Sequence, residues 1–195
     1  MRSDLTIGCL TSTPHVVGLG GSLADKSSSL RAVRVALDAA EQAGATADLL
    51  DVRDLALPFC GRKVSANLGV SRLVEATAAA DALIWSSPLY HGTVSGAFKN
   101  ALDWLQLLAD RERPFLSAKP VGLIATAAGV QGLQAINTME FVVRALRGWT
   151  VPFVVPLARA WDVFDDDGAP RDPAVADQLH MLGREVTAAA RRFAA

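Results

Sequence analysis

Ala82-Leu83-Ile84-Trp85-Ser86-Ser87-Pro88 decides how this chain folds. The four residues Ala82 to Trp85 leave no polar face, so the strand they form must be covered on both sides. Strands buried on both faces belong to parallel sheets sandwiched between helices. Two serines and a proline then mark the strand end.

Working outward, the same alternation repeats. Towards the N-terminus, His15-Val16-Val17-Gly18-Leu19-Gly20 is a first strand running into a glycine turn, and Ala47 to Val52 is a second. Between them Leu30, Val33, Leu37 and Ala40 recur at spacings of three and four, one face of a helix. Val70, Leu73, Val74 and Thr77 mark a short helix before the third strand. Towards the C-terminus, Val94, Phe98, Ala101, Leu105 and Leu108 trace the clearest helix. Pro120 to Ala125 reads as a fourth strand, and Ile136, Met139, Val143 and Leu146 as a helix after it. Val151 to Val155 is a fifth strand, placed at a sheet edge by Pro152 and Pro156. Asp172 at an N-cap and Pro173 in the first turn open a last helix through Val175, Leu179, Leu182, Val186 and Phe193.

Five buried strands alternating with helices predict an α/β three-layer sandwich with a five-stranded parallel sheet and helices on both faces. The five-strand order common for such sheets is the flavodoxin-like 2-1-3-4-5. In that order strands 1, 3 and 4 are neighbours, so the loops that follow them (20–29, 86–93 and 126–132) converge on one site at the carboxyl ends. Residues 1–14 lack periodicity and read as an N-terminal arm; residues 15–195 read as one domain.

Composition narrows the function. The 195 residues are 51% hydrophobic and 20% charged, ample for a core. Nineteen Lys and Arg against twenty Asp and Glu give a net charge of −1, which argues against nucleic acid as a partner. Cys9 and Cys60 cannot make a disulfide framework, and His15, His91 and His180 are too scattered for zinc. The longest apolar run, Val121 to Val130, is too short for a membrane helix, and Asp4 interrupts any signal-like start. No membrane association and a cytoplasmic location are expected.

The first loop, Gly20-Gly21-Ser22-Leu23-Ala24-Asp25-Lys26-Ser27-Ser28-Ser29, combines turn-forming glycines, serine hydroxyls and a helix N-terminus, a natural anion cradle. It fits neither common nucleotide motif. A dinucleotide fingerprint from Gly18 would need glycine at Leu23, and a P-loop from Gly20 would need glycine at Asp25. Asp165-Asp166-Asp167-Gly168 likewise fails as a calcium loop, with Val163 and Ala174 where acids are required. A serine-rich cradle without magnesium suits one terminal phosphate.

The segment Ser87-Pro88-Leu89-Tyr90-His91-Gly92-Thr93-Val94-Ser95-Gly96-Ala97-Phe98-Lys99-Asn100-Ala101-Leu102-Asp103-Trp104-Leu105 closely resembles the signature of the NADPH-dependent FMN reductases of the flavodoxin-like superfamily. Gly21-Ser22 with Ser27-Ser28-Ser29-Leu30 resembles that family's phosphate loop, and Ala125-Thr126-Ala127-Ala128-Gly129-Val130 its loop at the flavin rim. The Ser-Ser-Ser-Leu ending and the Phe164-Asp165-Asp166 stretch are most similar to the alkanesulfonate-system type of FMN reductase. The resemblance implies FMN as cofactor and NADPH or NADH as hydride donor. It places Ser22, Ser27, Ser28 and Ser29 on the FMN phosphate. Pro88, Leu89, Tyr90 and His91 lie along the ribityl chain and isoalloxazine, and Thr126, Ala127, Ala128 and Gly129 offer backbone N–H groups to the pyrimidine edge.

It further implies hydride transfer from nicotinamide to flavin N5, a partner monooxygenase receiving reduced flavin, and a homodimer or homotetramer. Chemistry of this kind belongs to the cofactor, so no catalytic acid or base is assigned. Two other readings stay open: an FMN-holding reductase of quinones, azo dyes or metal oxyanions, and a non-catalytic flavin-binding electron carrier. The weak net charge argues against the carrier. Trp104 is expected in the core or a subunit contact, and Cys60, after an apolar stretch, is expected to be buried.

Overall fold

Strand β3 (Ala82–Tyr90) is the spine of the computed structural model, which describes residues 13–61 and 67–194. The arm expected over 1–14 therefore falls almost wholly outside the described residues, as does Cys9. Leu83 and Trp85 point to one face of β3 and Ala82 and Ile84 to the other, and all four are at most 1% exposed. This two-sided burial is what their unbroken apolarity demands.

On one side of β3 lie β1 (His15–Gly20) and then β2 (Thr46–Asp51); on the other lie β5 (Pro120–Thr126) and then β6 (Trp149–Leu157). These five strands are parallel, in the order β2-β1-β3-β5-β6. With allowance for one extra strand in the numbering, this is the expected order, and β6 is an edge as its prolines require. The register between β5 and β6 is irregular between Val121 and Leu123, opposite the stretch of β6 that holds Pro152.

The sheet has six strands rather than five. Residues 86–93, expected as a loop, continue β3 to Tyr90, turn at His91-Gly92, and return as the two-residue antiparallel strand β4 (Thr93–Val94). His91 and Gly92 have φ of 50° and 88°. Positive φ at both central residues is the geometry of the tight hairpin turn whose twist matches its strands. Val94 thus belongs to β4, and the helix expected from it starts later, as α4 (Gly96–Trp104) with a 3-10 turn at Leu105–Leu108.

Helices α1 (Ser28–Gln42) and α6 (Pro173–Ala194) cover one face, over Val16, Ile84, Ile124 and Val155. The short α2 (Val52–Leu55), with α3 (Leu68–Ala79), α4 and α5 (Gly132–Ala145), covers the other, over Leu19, Trp85 and Leu123. Phe98 of α4 meets Trp85 edge-on, with ring centroids 5.8 Å apart. On the opposite face α6 approaches α1 so closely that a Cβ added to Gly183 would lie 2.1 Å from the Ala36 carbonyl oxygen. Among the described residues no helix is long and apolar enough to cross a membrane.

Candidate functional site

Three chain segments leave the carboxyl ends of β1, β3 and β5 side by side, and hydrogen bonds between them fix their spacing. Ser95, the N-cap of α4, accepts from Phe98 N through its hydroxyl and donates to the Gly21 carbonyl at 2.5 Å. Gly21 N in turn donates to the Ser86 carbonyl at 2.8 Å. Ser87 Oγ accepts from Ser95 N at 3.0 Å and so holds the hairpin against the start of α4. A Cβ on Gly21 would sit 2.5 Å from the Phe98 ring, so glycine here permits close approach of the β1 loop to α4.

The serines of the first loop each have a defined task. Ser27 is the N-cap of α1, its hydroxyl accepting from Leu30 N at 3.0 Å. Ser28 Oγ donates to the Ala160 carbonyl at 2.5 Å, and Ser29 Oγ shares a 2.7 Å hydrogen bond with Thr126 Oγ1. Ser22 Oγ accepts from Ala24 N at 3.2 Å. The hydroxyls therefore shape the cradle as well as facing it. The first-turn amides of α1 at Ser28 and Ser29 have no intrahelical partner to take, as at any helix start. Those amides, with the protons of the Ser27 and Ser22 hydroxyls, are donors of the kind that an anion takes.

At the β5 end, Ala127 N donates to the Leu157 carbonyl at 2.9 Å, while the Ala127 carbonyl accepts from Ala160 N at 3.0 Å. The Ala127 amide is thus engaged within the fold, which makes Ala128 the next amide along this loop among the lining residues.

The result is a cleft of about 360 Å³, within the size range of ligand sites. Ten of the twelve residues expected from sequence line it together: Ser22, Ser27, Ser28, Ser29, Pro88, Leu89, Tyr90, Thr126, Ala127 and Ala128. His91 and Gly129 are not among the lining residues; His91 is carried to the exposed hairpin tip by its turn. Ala24, Lys26, Ala160 and Trp161 line the cleft without having been expected. Lys26 is an exposed cation 3.5 Å from Asp166. Ala160 and Trp161 follow β6, and long-range bonds from Ala160 to Ser28 and Ala127 hold that segment at the cleft.

One end of this cleft offers hydroxyls and helix amides, and its middle offers Pro88, Leu89 and the half-exposed Tyr90 ring. A phosphate joined to a flat ring system fits that donor set. A second hollow of equal volume, about 360 Å³, lies between α2 and α4 against Leu23, Leu57, Phe59 and Ala97. Its lining is mostly apolar and has no serine hydroxyls. Its two polar side chains are engaged elsewhere, Arg53 with Asp51 and Asn100 with Cys60 N and the Pro58 carbonyl, so it is the poorer candidate for a nucleotide. Among the described residues no group of His, Cys, Asp and Glu could hold a metal ion.

Two neighbouring expectations are settled here. Trp104 is 9% exposed and donates Nε1–H to the Pro58 carbonyl at 2.8 Å, a core role. Cys60 is exposed rather than buried, because the apolar stretch before it ends in a turn that also leaves Phe59 in solvent. Asn100 pins that turn, accepting from Cys60 N at 2.9 Å and donating to the Pro58 carbonyl at 3.0 Å.

Comparison with known proteins places this cleft in context. The sequence model of the NADPH-dependent FMN reductase family matches residues 14–162, which contain all three loops. An NADPH-dependent FMN reductase ArsH of Rhizobium meliloti is 29% identical over 169 residues, 87% of this chain and 69% of that protein. An FMN-dependent NADPH-azoreductase of Staphylococcus aureus is 40% identical over 80 residues, 41% of this chain and 39% of that protein. The chain spans less than half the length of some curated relatives that it matches, including the ArsH of Acidithiobacillus ferrooxidans at 46%. In fold it is similar to FerB, the flavoenzyme NAD(P)H:(acceptor) oxidoreductase of Paracoccus denitrificans. There the TM-score is 0.72 at 22% identity, covering 92% of this chain and 98% of that one.

Proposed function

Because the chain belongs to the NADPH-dependent FMN reductase family, we propose that it reduces FMN with NADPH or NADH, the flavin lying in the cleft between the β1, β3 and β5 loops. The observation that carries this reading is the joint lining of one cleft by a serine-rich helix start and by the Pro88-Leu89-Tyr90 segment. When bound, FMN supplies the hydride-accepting ring, and the protein's part is to bind and orient it.

In this reading the amides of Ser28 and Ser29 and the hydroxyls of Ser22 and Ser27 hold the phosphate. Ser28 and Ser29 contribute through their amides, since their hydroxyls already tie the cradle to Ala160 and Thr126. Pro88, Leu89 and Tyr90 form the wall along the ribityl chain and ring. The Thr126–Gly129 loop supplies the pyrimidine edge, with Ala128 and Gly129 as amide donors where negative charge develops on reduction. His91, at the exposed hairpin tip, does not line the cleft and is given no part in holding the flavin.

The finer expectations belong to the same proposal: delivery of reduced flavin to a partner monooxygenase, and assembly as a homodimer or homotetramer. Leu107, 55% exposed beside α4, and Phe59, 74% exposed, are apolar surface available for assembly. The relative named as an FMN-dependent NADPH-azoreductase supports a second reading, in which FMN stays bound and passes electrons to another acceptor.

Steady-state kinetics with free FMN as the varied substrate test the proposal. Saturable NADPH oxidation that depends on added FMN supports the flavin reductase. A yellow protein that oxidises NADPH with a quinone or azo dye and no added flavin supports the second reading. Absence of flavin binding and of NADPH oxidation overturns both.

A further inference from the structure

We propose that Trp161 is an aromatic wall of the flavin site, its indole packing on the isoalloxazine ring; this rests on the cleft being a flavin site. Trp161 lies beyond β6, in a stretch without helix or strand periodicity, yet it lines the cleft. Its position is built rather than incidental. The preceding residue, Ala160, is held at both polar groups: its carbonyl accepts from Ser28 Oγ at 2.5 Å and its N–H donates to the Ala127 carbonyl at 3.0 Å. Ser28 starts α1 and Ala127 follows β5, so the backbone before Trp161 is pinned to both margins of the cleft. The turn itself is closed by Asp162 N donating to the Arg159 carbonyl at 2.8 Å. Nearby, Arg31 of α1 donates to the Asp165 carbonyl at 2.9 Å and ties down the segment that follows.

A backbone fixed at this many points presents an indole that is 71% exposed. Trp85 and Trp104, by contrast, are buried in the core. An indole is a large apolar plate with one donor, and burying it against a ring is its most favourable use. Of the parts of a flavin nucleotide, the phosphate calls for hydroxyls and amides, which Ser22 to Ser29 already offer. The flat ring is the part that matches an indole. Trp161 and Tyr90 are the aromatic side chains among the lining residues, Tyr90 ending β3 and Trp161 following β6, with β5 between those two strands.

The test uses flavin emission, which contact with an electron-rich indole or phenol extinguishes and contact with a phenyl ring does not. Full-length Tyr90→Phe serves as background, so that Trp161 is the electron-rich aromatic left in the cleft. FMN and riboflavin are titrated into this protein and into versions also carrying Trp161→Phe or Trp161→Ala. The expected result has three parts. Trp161→Ala weakens FMN and riboflavin alike, by roughly tenfold or more, the scale of losing one aromatic stack. Trp161→Phe retains most of the affinity. Bound flavin becomes several-fold brighter in both Trp161 variants. Unchanged affinity and unchanged bound-state emission in Trp161→Ala overturn the inference, and so does a loss confined to FMN, which would put the indole at the phosphate. Failure of the wild-type protein to bind either flavin is a different outcome, and it overturns the flavin-site reading beneath.

Discussion

Ser29 and Thr126 stand 97 residues apart in the chain, and their hydroxyls meet at 2.7 Å in a buried position. The bond joins the start of α1 to the end of β5, so it sets the distance between the serine cradle and the rim of the cleft. Thr126→Val keeps the shape and leaves Ser29 Oγ buried without this partner. A loss of about 1–3 kcal/mol is expected in urea unfolding. Adding Ser29→Ala removes the orphaned hydroxyl and is expected to recover part of that loss, giving a positive coupling in a double-mutant cycle.

Ligand binding reads the same cradle differently. Ser22→Ala, which removes a hydroxyl donor from the cradle and leaves the Ser29–Thr126 bond intact, is expected to weaken FMN by about tenfold or more, the scale of one hydrogen bond to a charged group. Riboflavin, which lacks the phosphate, should change little. Isothermal titration with both ligands checks this, and equal losses would move the phosphate elsewhere.

At the hairpin tip, the φ of 50° at His91 separates two kinds of substitution. His91→Asn is expected to be nearly neutral, because asparagine tolerates left-handed backbone. His91→Val is expected to cost about 1–2 kcal/mol in thermal or denaturant unfolding, since a β-branched side chain crowds that conformation. Tyr90→Ala, one residue earlier, should slow bleaching of bound flavin by NADPH more than it weakens FMN binding, because small misplacements of reacting atoms can cost around a hundredfold in rate. Stopped-flow absorbance measures that ratio; equal effects would take Tyr90 away from the reacting ring.

Two glycines make a matched pair for stability. Gly183→Ala drives a methyl group towards the Ala36 carbonyl, where the clashing atom is backbone and cannot rotate away. A loss of roughly 1–3 kcal/mol or more is expected, as for other overpacked contacts. Gly96→Ala meets nothing within 4 Å and should leave the midpoint of unfolding unchanged or slightly raised.

Lys119 supplies a pH-dependent test. It is 7% exposed just before β5, and its ammonium donates to the carbonyls of Ala78 and Ala80 at the end of α3. Burial first, and then the Arg113 cation, hold its pKa below the ordinary lysine value. Between that depressed value and the ordinary value of about 10.4, the unfolded chain carries the proton and the folded chain has released it. Stability therefore gains a contribution that rises with pH across this alkaline window. Lys119→Met should lack that rise, and should lose stability at neutral pH by leaving two carbonyls without their donor. Parallel alkaline profiles for the two proteins would contradict this.

The parallel sheet was legible because Ala82-Leu83-Ile84-Trp85 and Pro120 to Ala125 are apolar without a break, a pattern that only two-sided burial explains. The serine loop and Thr126 to Ala128 were legible as site material because a known strand order brings their loops together. Strand β4 was not: two residues, Thr93 and Val94, leave no periodicity, and Val94 also fits the helical spacing of Phe98 and Ala101. The available signal was His91-Gly92 between Tyr90 and Thr93, a weaker relative of the Asn-Gly hairpin pair. Trp161 gave no local signal at all, since its placement depends on Ser28 and Ala127. The engaged amide of Ala127 was equally hidden, for its partner Leu157 ends the edge strand.

That edge strand leaves the ribosome after the other five described strands. A nascent chain completed to Ala145 already holds the serine loop, the hairpin and the end of β5, yet Ala160 is missing and the Ser28 hydroxyl and Ala127 carbonyl wait for their partner. The cradle thus becomes whole only once residue 160 has been added, and it does so by the same contacts that seat β6. A molecule bound there clasps a segment made early, Ser22 to Ser29, to one made late, Ala160 and Trp161, and its grip reports that synthesis has run past β6.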